Sequence, residues 1–239
     1  MKSLQEMWGD LEKYLQVENA LEQGFSNGKY TKILANFAKN VTAIDVSKEF
    51  MKIAKENLKD YNNIRLLLMD AEHMQFEDKS FDVLLNTSFH EFDLSGEVYS
   101  IDLELKRRIL QEMIRVSNTI VFVEPTENAI TNELFKVFNP NENHSDRIQK
   151  SNELIAEVMR ENGYSLLESG LTFNEDQFES QKELEEEMLD WWADIKVPAN
   201  LEEKEEMIHQ IDEILEKAGM LPNLKVVEDI GYKVYRKEF

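Results

Sequence analysis

The sequence predicts an α/β fold, namely a doubly wound and mostly parallel sheet. Three observations lead to this prediction. Short apolar runs alternate with helix-length amphipathic segments along the first half of the chain. The runs are continuous in their apolar character, as is typical of strands covered on both faces. Each run also ends in a polar or acidic residue, which predicts a ligand site along the carboxyl edge of the sheet.

The composition fits one sizeable α/β domain. The 239 residues include 48 acidic and 27 basic ones and no cysteine, and the formal net charge is −21. Without cysteine there is no disulfide framework, thiolate nucleophile or thiolate zinc site. The N-terminus lacks the apolar core of a signal peptide, and no apolar run reaches membrane-spanning length. The sequence therefore predicts a cytoplasmic protein that spans no membrane.

The negative charge predicts that the protein does not bind nucleic acid, because phosphates are neutralised by lysine and arginine. The densest basic cluster consists of Lys106, Arg107 and Arg108 on a predicted helix that also carries glutamates. We interpret this cluster as a solvated helix face. The acidity either serves solubility or favours cationic and neutral small substrates, and composition leaves both interpretations open.

The first elements are a helix, a strand and a second helix. Apolar residues at helical spacing predict an amphipathic helix over residues 3–16, which either packs on the sheet or closes over a ligand. The first strand of the predicted sheet ends in Glu22, and a turn with Gly24 and Gly28 leads into a helix over residues 30–39. Glycines four residues apart suit a tight strand-to-helix turn against which a ligand can press.

The second and third strands of the predicted sheet also end in acids. Residues 41–46 form a strand that contains Asp45 near its end, and Ser47 is a favourable N-cap for the following helix. The dense apolar run 63–69 is followed directly by Asp70. Two acids at corresponding strand ends therefore join the glycine turn as candidate ligand-binding groups.

Two more strands complete the regular alternation. The strand 81–86 ends in Asn86 and leads through a loop into a helix over residues 101–116. The strand 119–123 is closed by Glu124 and a proline. The first five strands thus all end in polar or acidic side chains.

Three neighbouring strand ends should meet on one nucleoside-like ligand, because the first three strands of such a sheet lie side by side. Asp45 is suited to accept hydrogen bonds from both hydroxyls of a ribose. Asp70 is suited to an exocyclic amine, which only an acceptor can recognise. The backbone N–H groups of residues 24–28 are suited to the remaining polar end.

A family resemblance is carried by three segments, LEQGFSNG, AIDVS and LLLMDAEHMQFEDKSFDVLLNTSFHEF, within roughly residues 17–125. This order resembles the class I S-adenosylmethionine-dependent methyltransferases, especially the small-molecule type. The resemblance implies a seven-stranded sheet with an antiparallel last strand, S-adenosyl-L-methionine as cofactor, and S-adenosyl-L-homocysteine as product. It implies no metal. It implies cofactor-binding roles for nine residues: Glu22, Gly24, Ser26, Gly28, Asp45, Val46, Asp70, Ala71 and Asn86.

The glycine turn departs from the family pattern, which has three glycines, because Ser26 stands at the middle position. Serine there is tolerated unless the turn needs a positive φ. A dinucleotide dehydrogenase is the main competitor on this fold. Its G-x-G-x-x-G pattern, started at Gly24, fails at Ser26 and at Lys29. Asp70 together with Ala71 favours methyl transfer.

Methyl transfer from a sulfonium needs donor and nucleophile held in line, and a base only when the attacking group carries a proton. His90 follows the fourth strand and is the candidate catalytic base; alternatively it stacks under the substrate or hydrogen-bonds to the loop. Five further residues are candidates for the acceptor pocket: Tyr14, Phe89, Glu124, Trp191 and Trp192.

The C-terminal part holds an acidic helical insertion over residues 174–222, between a strand over 164–173 and a final strand over 223–239. Residues 174–217 contain sixteen acids and four lysines. Helices are predicted over 182–195 and 201–218. The insertion is either a lid whose aromatic face walls the acceptor site or a solvated helix pair that covers the sheet.

We therefore expect one methyltransferase domain over residues 1–239, with an N-terminal helix to residue 16 and a cofactor-binding core over 17–173. The expected partner is a small-molecule acceptor, with neither nucleic acid nor membrane involved. The alternative is a non-catalytic protein that binds S-adenosylmethionine or S-adenosylhomocysteine and docks a partner through the acidic insertion. The oligomeric state and the acceptor are not readable from the sequence.

Overall fold

The structure, a computed structural model, describes residues 2–92, 101–141, 143–192 and 196–238. Eight strands and eight α-helices lie within these ranges. The strands are β1 Lys2–Ser3, β2 Asn19–Gln23, β3 Asn40–Asp45, β4 Ile64–Leu68, β5 Val83–Asn86, β6 Thr119–Pro125, β7 Tyr164–Gln177 and β8 Lys225–Lys237. The helices are α1 Leu4–Leu15, α2 Lys29–Leu34, α3 Lys48–Asn57, α4 Leu103–Val116, α5 Thr131–Phe138, α6 His144–Glu161, α7 Gln181–Asp190 and α8 Leu201–Lys217.

The sheet has the predicted doubly wound topology. Its order is β4-β3-β2-β5-β6-β8-β7, with the two-residue β1 added beside β7. The pairs β2–β3, β3–β4, β2–β5 and β5–β6 are parallel. Strand β8 is antiparallel, since the Lys237 N–H donates to the Asn118 carbonyl and the Thr126 N–H donates to the Asp229 carbonyl. The predicted fold class is confirmed, and β1 is an additional edge strand.

The central strands are continuous apolar runs because helices cover both faces of the sheet. Every residue of β5 is buried, and so is every residue of β6 except Pro125. The edge strand β4 is only partly covered, and Leu68 is 47% exposed. The position of a strand in the sheet thus accounts for how completely its residues are buried.

The described chain falls into two compact units. The larger unit contains residues 5–124, 150–170 and 231–239, and the smaller unit contains residues 1–4, 125–149 and 171–230. In the larger unit, one side of the sheet packs on α4 and the second half of α6 through residues such as Leu110 and Val158. A second cluster, of Phe25, Ala43, Met51, Ala54 and Leu58, packs α3 on the sheet.

The smaller unit has an apolar core of its own. Helix α5 supplies Leu134 and Phe135, α7 supplies Leu184, and α8 supplies Ile211, all with no exposed surface. The Trp192 ring packs edge-on against Phe135 at 5.4 Å between ring centroids. The acidic residues of α7 and α8 therefore lie on helices that bury an apolar stripe.

Several predicted boundaries differ from the observed ones. Helix α2 ends at Leu34 and not near residue 39, because the N–H groups of residues 36 and 37 turn back onto the carbonyls of residues 33 and 34. This tight turn brings Asn40 to the start of β3. Helix α6 begins at His144. Helix α7 ends at residue 190, and the predicted end at residue 195 lies outside the described residues. In the described ranges, every helix is too short or too polar to cross a bilayer.

Candidate functional site

The turn after β2 has the left-handed backbone that a close ligand approach requires. Gly24 has φ +82°, Ser26 +46° and Gly28 +88°. A Cβ at Gly28 would lie 2.8 Å from the Leu58 Cδ1 atom, and one at Gly24 would lie 3.1 Å from the Phe92 ring. The positive φ favours glycine at both positions, and a Cβ at either one would require the neighbouring side chain to shift.

Ser26 has a positive φ, which is the condition under which serine was expected to be unfavourable in this turn. A left-handed φ at serine costs on the order of 1 kcal/mol. The Ser26 N–H donates to the Asp45 Oδ2 atom at 3.0 Å, and the Ser47 N–H donates to Oδ1 of the same carboxylate at 2.8 Å. Asp45 thus holds the strained turn, and a charge-assisted hydrogen bond replaces the freedom that a third glycine would supply.

The strand register brings the predicted groups to one edge of the sheet. Gln23, the last residue of β2, pairs with Ile44 on one side and with Asn86 on the other. Asp45, the last residue of β3, pairs with Leu68 of β4. Asp70 follows Leu68 by two residues and therefore lies just beyond the end of β4, which neighbours β3. The three predicted strand ends are therefore adjacent in the sheet, as the nucleoside interpretation requires.

The residues around the two acids differ in exposure. Asp70 is exposed, and its Oδ1 atom accepts from the Glu72 N–H at 2.8 Å, which closes the turn after β4. Val46 is 71% exposed beside Asp45, and Ala71 is partly buried. An exposed apolar side chain and an exposed carboxylate at this edge could together meet a flat, hydrogen-bonding ring.

Glu22 is a buried acid with no hydrogen-bond partner among the described residues. It is 1% exposed, and neither carboxylate oxygen is paired. Burial, with a smaller contribution from the nearby Asp45 charge, raises the pKa of Glu22 to about 8. The Thr31 hydroxyl opposes this rise in the pKa, although it does not reach hydrogen-bond geometry. An orphaned carboxyl beneath a glycine turn is suited to a cationic ligand group such as an ammonium.

Asn86 is fully buried at the end of β5 and links two parts of the edge. Its Nδ2 atom donates to the Gln23 Oε1 atom at 3.2 Å, and its Oδ1 atom accepts from the Ser88 N–H at 3.2 Å. Asn86 therefore orients both the end of β2 and the turn that follows β5. Gln23 was missed in the sequence analysis because a polar residue inside an apolar strand carries no periodic signal.

The turn after β5 is a short 3-10 helix, Phe89–Glu91, held by buried charges. Glu124, at the end of β6, is 6% exposed and accepts hydrogen bonds from the backbone N–H groups of Phe89 and His90. The same carboxylate pairs with Nδ1 of the His90 ring. His90 and Glu124, two candidates from different strand ends, therefore form one carboxylate–imidazole pair.

The His90 ring is 4% exposed and has charged neighbours on three elements. Burial lowers its pKa, but the Glu124 carboxylate and then Glu91 raise it by more, against a smaller opposing effect of Lys106. The net pKa of His90 lies above its usual value. With Nδ1 committed to Glu124, Nε2 is the ring nitrogen suited to proton transfer, and it lies 3.7 Å from the Glu91 Oε1 atom.

The interpretation of the basic cluster is wrong for one of its three members. Lys106 has no exposed surface, and its Nζ atom donates to the carbonyls of Phe89 and His90. Arg107 and Arg108 do lie on the outer face, where they form ion pairs with glutamates. The helical spacing could have shown this, because Lys106 lies three and four residues before Ile109 and Leu110, which are buried on the inner face of α4.

Tyr14 lies away from the candidate site. Its hydroxyl donates to Glu168 at 3.1 Å, and the Arg236 guanidinium lies 5.6 Å from its ring centroid. Arg236 also bonds to Thr119, the first residue of β6, so this group marks the amino edge of the parallel strands. The assignment of Tyr14 to the acceptor pocket is therefore corrected: its helix packs on the sheet there.

The two adjacent tryptophans have different surroundings in the smaller unit. Trp192 is 7% exposed and packs against Phe135 and Phe138. Trp191 is partly exposed and contacts Trp192 edge-on at 5.6 Å. Trp192 is therefore the inner of the two, and its assignment to the acceptor pocket is corrected, because its ring packs in the core of the smaller unit.

A cluster of possible metal ligands lies in the turn after β4. Atoms of Asp70, Glu72 and His73 lie within 4.8 Å of one another. However, the Glu72 carboxylate is paired with the Arg108 guanidinium, and Asp70 accepts from its own turn. These commitments favour an anchored loop over a cation site.

The strand order and the helices on both faces define the class I methyltransferase fold, in which ligands bind at the carboxyl edge of the parallel strands. Residues 21–119 match the family model of the methyltransferase domain. This matched segment is similar to a methyltransferase domain, and the sheet around it has the class I methyltransferase topology. The matched segment contains the glycine turn, both acids, Asn86 and His90.

Known relatives match only part of the chain. A demethylmenaquinone methyltransferase of Tropheryma whipplei (strain Twist) is 35% identical over 68 residues, which are 28% of this chain and 28% of that protein. The chain spans less than a third of the length of the curated relatives it matches.

Solved structures share the fold at low identity. A Bacillus halodurans C-125 protein, named provisionally as a methyltransferase, has 17% identity and a TM-score of 0.64, with 98% of each chain covered. The N-methyltransferase NodS of Bradyrhizobium japonicum WM9, in complex with S-adenosyl-L-homocysteine, has 14% identity and a TM-score of 0.53 over 98% of this chain and 87% of that one. A Pyrococcus horikoshii protein, named provisionally as an RNA methyltransferase, has 10% identity and a TM-score of 0.56 over 98% and 82%. Since one neighbour is named for RNA, the comparisons do not support excluding nucleic acid.

Glu22 should make the stability of the protein pH-dependent. Its carboxyl stays neutral in the folded protein up to about pH 8 but ionises near 4.5 when unfolded, so the free energy of unfolding falls as pH rises between these values. Glu22→Gln is neutral throughout and escapes this loss. We expect its stability relative to wild type to increase with pH by at most about 1.4 kcal/mol per unit. Urea unfolding of the cofactor-free proteins from pH 5 to pH 8.5 measures this, with exposed Glu18→Gln as control. Parallel pH dependences of wild type and Glu22→Gln would contradict it.

Proposed function

We propose that this protein is an S-adenosylmethionine-dependent methyltransferase that transfers a methyl group to a small-molecule acceptor by in-line displacement. The observation that supports this most is the carboxyl edge of the larger unit. Strand β2 supplies Glu22, whose carboxyl has no hydrogen-bond partner among the described residues, and is followed by the left-handed turn 24–28. The neighbouring strand β3 supplies the Asp45 carboxylate. These groups match the polar end, the ribose and the cationic end of one such cofactor.

The cofactor would be recognised by groups already held in place. Asp45 has both oxygens anchored by backbone N–H groups, and each oxygen keeps a lone pair for a ribose hydroxyl. Asp70 at the end of the neighbouring strand is exposed and suited to the adenine amine. Because the turns after β2 and β4 are anchored, little ordering accompanies binding.

When bound, S-adenosylmethionine supplies a methyl group on a positively charged sulfur, already activated for displacement. The protein must orient the acceptor, exclude water and, where the acceptor carries a proton, remove it. The His90–Glu124 pair is suited to the last task. A carboxylate on Nδ1 fixes the tautomer that leaves the lone pair on Nε2, and it stabilises the imidazolium formed after proton transfer. Glu124 acts here through His90, so its proposed role changes from the acceptor pocket to orientation of the base.

The nature of the acceptor is inferred from charge. The net charge of −21 argues against RNA, because binding a phosphate chain requires lysine and arginine. Glu91 lies beside the His90 ring and is suited to a cationic or neutral acceptor. Phe89 is withdrawn as an acceptor contact, because its side chain has no exposed surface and packs against Phe122 in the core. We keep Trp191 as a candidate acceptor contact, and we keep the lid role of the acidic insertion, residues 174–222, on the strength of the family resemblance.

The alternative proposal is a protein that binds S-adenosylmethionine or S-adenosylhomocysteine without turnover and docks a partner through its acidic insertion. The sixteen acids of residues 174–217 are the feature that favours it. Purified protein incubated with methyl-labelled cofactor and a panel of amine, hydroxyl, carboxylate and thiol small molecules distinguishes the two. Labelled product from any member supports the enzyme, whereas binding of the homocysteine form without product across the panel supports the alternative. Label transferred to RNA or to protein instead would overturn the small-molecule assignment.

Replacing Asp45 tests the cofactor site. Asp45→Ala removes charge-assisted hydrogen bonds to the ribose and to the turn, so we expect S-adenosylhomocysteine affinity to weaken by about 1–3 kcal/mol. Isothermal titration calorimetry measures the dissociation constant. Asp82→Ala is a matched control, because its carboxylate also accepts a backbone N–H, that of Asn19, at the opposite edge of the sheet. Equal affinities in Asp45→Ala and wild type would refute the ribose placement.

The pH dependence of turnover tests the base. His90 must be neutral to accept a proton, and its pKa is raised mainly by Glu124 against the effect of burial. We therefore expect kcat for a proton-bearing acceptor to fall as pH drops through an apparent pKa above 6.5. Glu124→Gln should move this limb to lower pH, and His90→Gln should remove it. A pH profile that is the same in wild type and His90→Gln would show that another group, or none, takes the proton.

A further inference from the structure

A buried lysine stands at the inner face of α4 with no evident need for a charge. Lys106 occupies the same stripe as the buried residues Ile109, Leu110 and Met113, and it has no exposed surface. A leucine or methionine would fit such a stripe. Taking an ammonium out of water costs several kcal/mol unless hydrogen bonds compensate. Simple packing therefore does not account for a lysine at this position.

Two hydrogen-bond acceptors of Lys106 belong to the turn that carries the proposed base. Its Nζ atom donates to the Phe89 carbonyl at 2.7 Å and to the His90 carbonyl at 2.9 Å, and it lies 5.0 Å from the Phe89 ring centroid. Two charge-assisted hydrogen bonds and a cation–π contact offset part of the desolvation.

The other side of the same two residues is held by the opposite charge. The Glu124 carboxylate accepts from the N–H groups of Phe89 and His90 and from the His90 ring. Thus the carbonyls of two successive residues are bound by a cation from α4, and their amides are bound by an anion from β6. We call the pair of Lys106 and Glu124 the charged clamp.

A clamp of this kind restricts geometry more than it adds stability. Replacing buried charged groups by apolar ones is often neutral or stabilising, so the clamp need not add to the free energy of unfolding. Opposite charges that bind the two sides of one turn do, however, leave that turn little freedom to rotate. A base needs such restriction, because a displacement of about 1 Å can cost about a hundredfold in rate.

We propose that Lys106 is a positioning residue for methyl transfer, which acts with Glu124 to fix the Phe89–Glu91 turn and thereby the orientation of the His90 ring. This proposal rests on the proposed function for its catalytic consequence, but the clamp itself can be tested without turnover. The charged groups around His90 that bear on the test are Glu91 on its own turn, Glu124 on β6 and Lys106 on α4.

Lys106→Met removes the charge and both donors while it keeps the length of the side chain. We expect the amides of Phe89 and His90 to exchange with deuterium about tenfold or more faster, and the ¹⁵N signals of the His90 imidazole to shift. Binding of S-adenosylhomocysteine should change less than about twofold by calorimetry, because the glycine turn and Asp45 are untouched. With an acceptor found in the panel, kcat should fall about tenfold to a hundredfold at a nearly unchanged KM for the cofactor.

Arg107→Met is the matched control. Arg107 neighbours Lys106 on α4 and forms ion pairs with Glu157 and Glu161, but its side chain is 32% exposed and it does not hold the turn. All four measurements should stay at wild-type values in this variant. If Lys106→Met does not fold, Lys106→Gln, which retains an N–H donor of shorter reach, is measured by the same criteria with smaller expected changes.

Three outcomes would overturn the proposal. The first is wild-type exchange and imidazole signals in a folded Lys106 variant. The second is an equal loss of cofactor binding and turnover, which would show a general structural role. The third is failure of both Lys106 variants to fold. Absence of turnover in wild type would refute the proposed function alone, since amide exchange and the imidazole signals still report on the charged clamp.

Discussion

The candidate site depends on one interaction, the bridge that the Asp45 carboxylate forms between two backbone N–H groups. One oxygen holds Ser26 in the turn after β2, and the other holds Ser47 at the start of α3. The bridge joins the ends of two neighbouring parallel strands and secures a turn in which a non-glycine residue has a positive φ. It also leaves the carboxylate facing the carboxyl edge, where parallel strands place their ligands. The Asp45 side chain therefore both holds the backbone of the turn and faces the edge where the ligand is proposed to bind.

Buried charge is concentrated where the proposed chemistry would occur. Glu22 lies beneath the glycine turn, and Glu124 and Lys106 hold the turn after β5. Each would be unfavourable in an ordinary core, because burial penalises the charged form unless a partner compensates. Glu124 and Lys106 both hydrogen-bond to one peptide turn, whereas Glu22 has no hydrogen-bond partner among the described residues. A carboxyl left in this state is understandable if a cationic ligand completes the site.

Periodicity and strand-end chemistry predicted most of the larger unit and part of the site. The glycine turn, Asp45, Asp70 and Asn86 were found because each follows a strongly apolar run, a signal contained in neighbouring residues. Tyr14 and Lys106 were misjudged for the opposite reason. Both lie on amphipathic helices, whose residues meet partners from distant parts of the chain. Tyr14 contacts Glu168, which lies more than a hundred positions away, and the turn that Lys106 binds is held on its other side by Glu124 of a separate strand.

The class of fold, the order of its elements and the acids at the strand ends were all predictable from local apolar patterning, together with the rule that parallel strands present their ends at one edge of the sheet. Three features emerge only from tertiary packing. Ser26 has a left-handed backbone, Glu22 has no hydrogen-bond partner in the part of the chain that the structure describes, and Glu124 and Lys106 hold one turn from two sides. These features arise from burial and from hydrogen bonds between distant segments. Neither can be read from neighbouring residues, since both are set by how the elements pack.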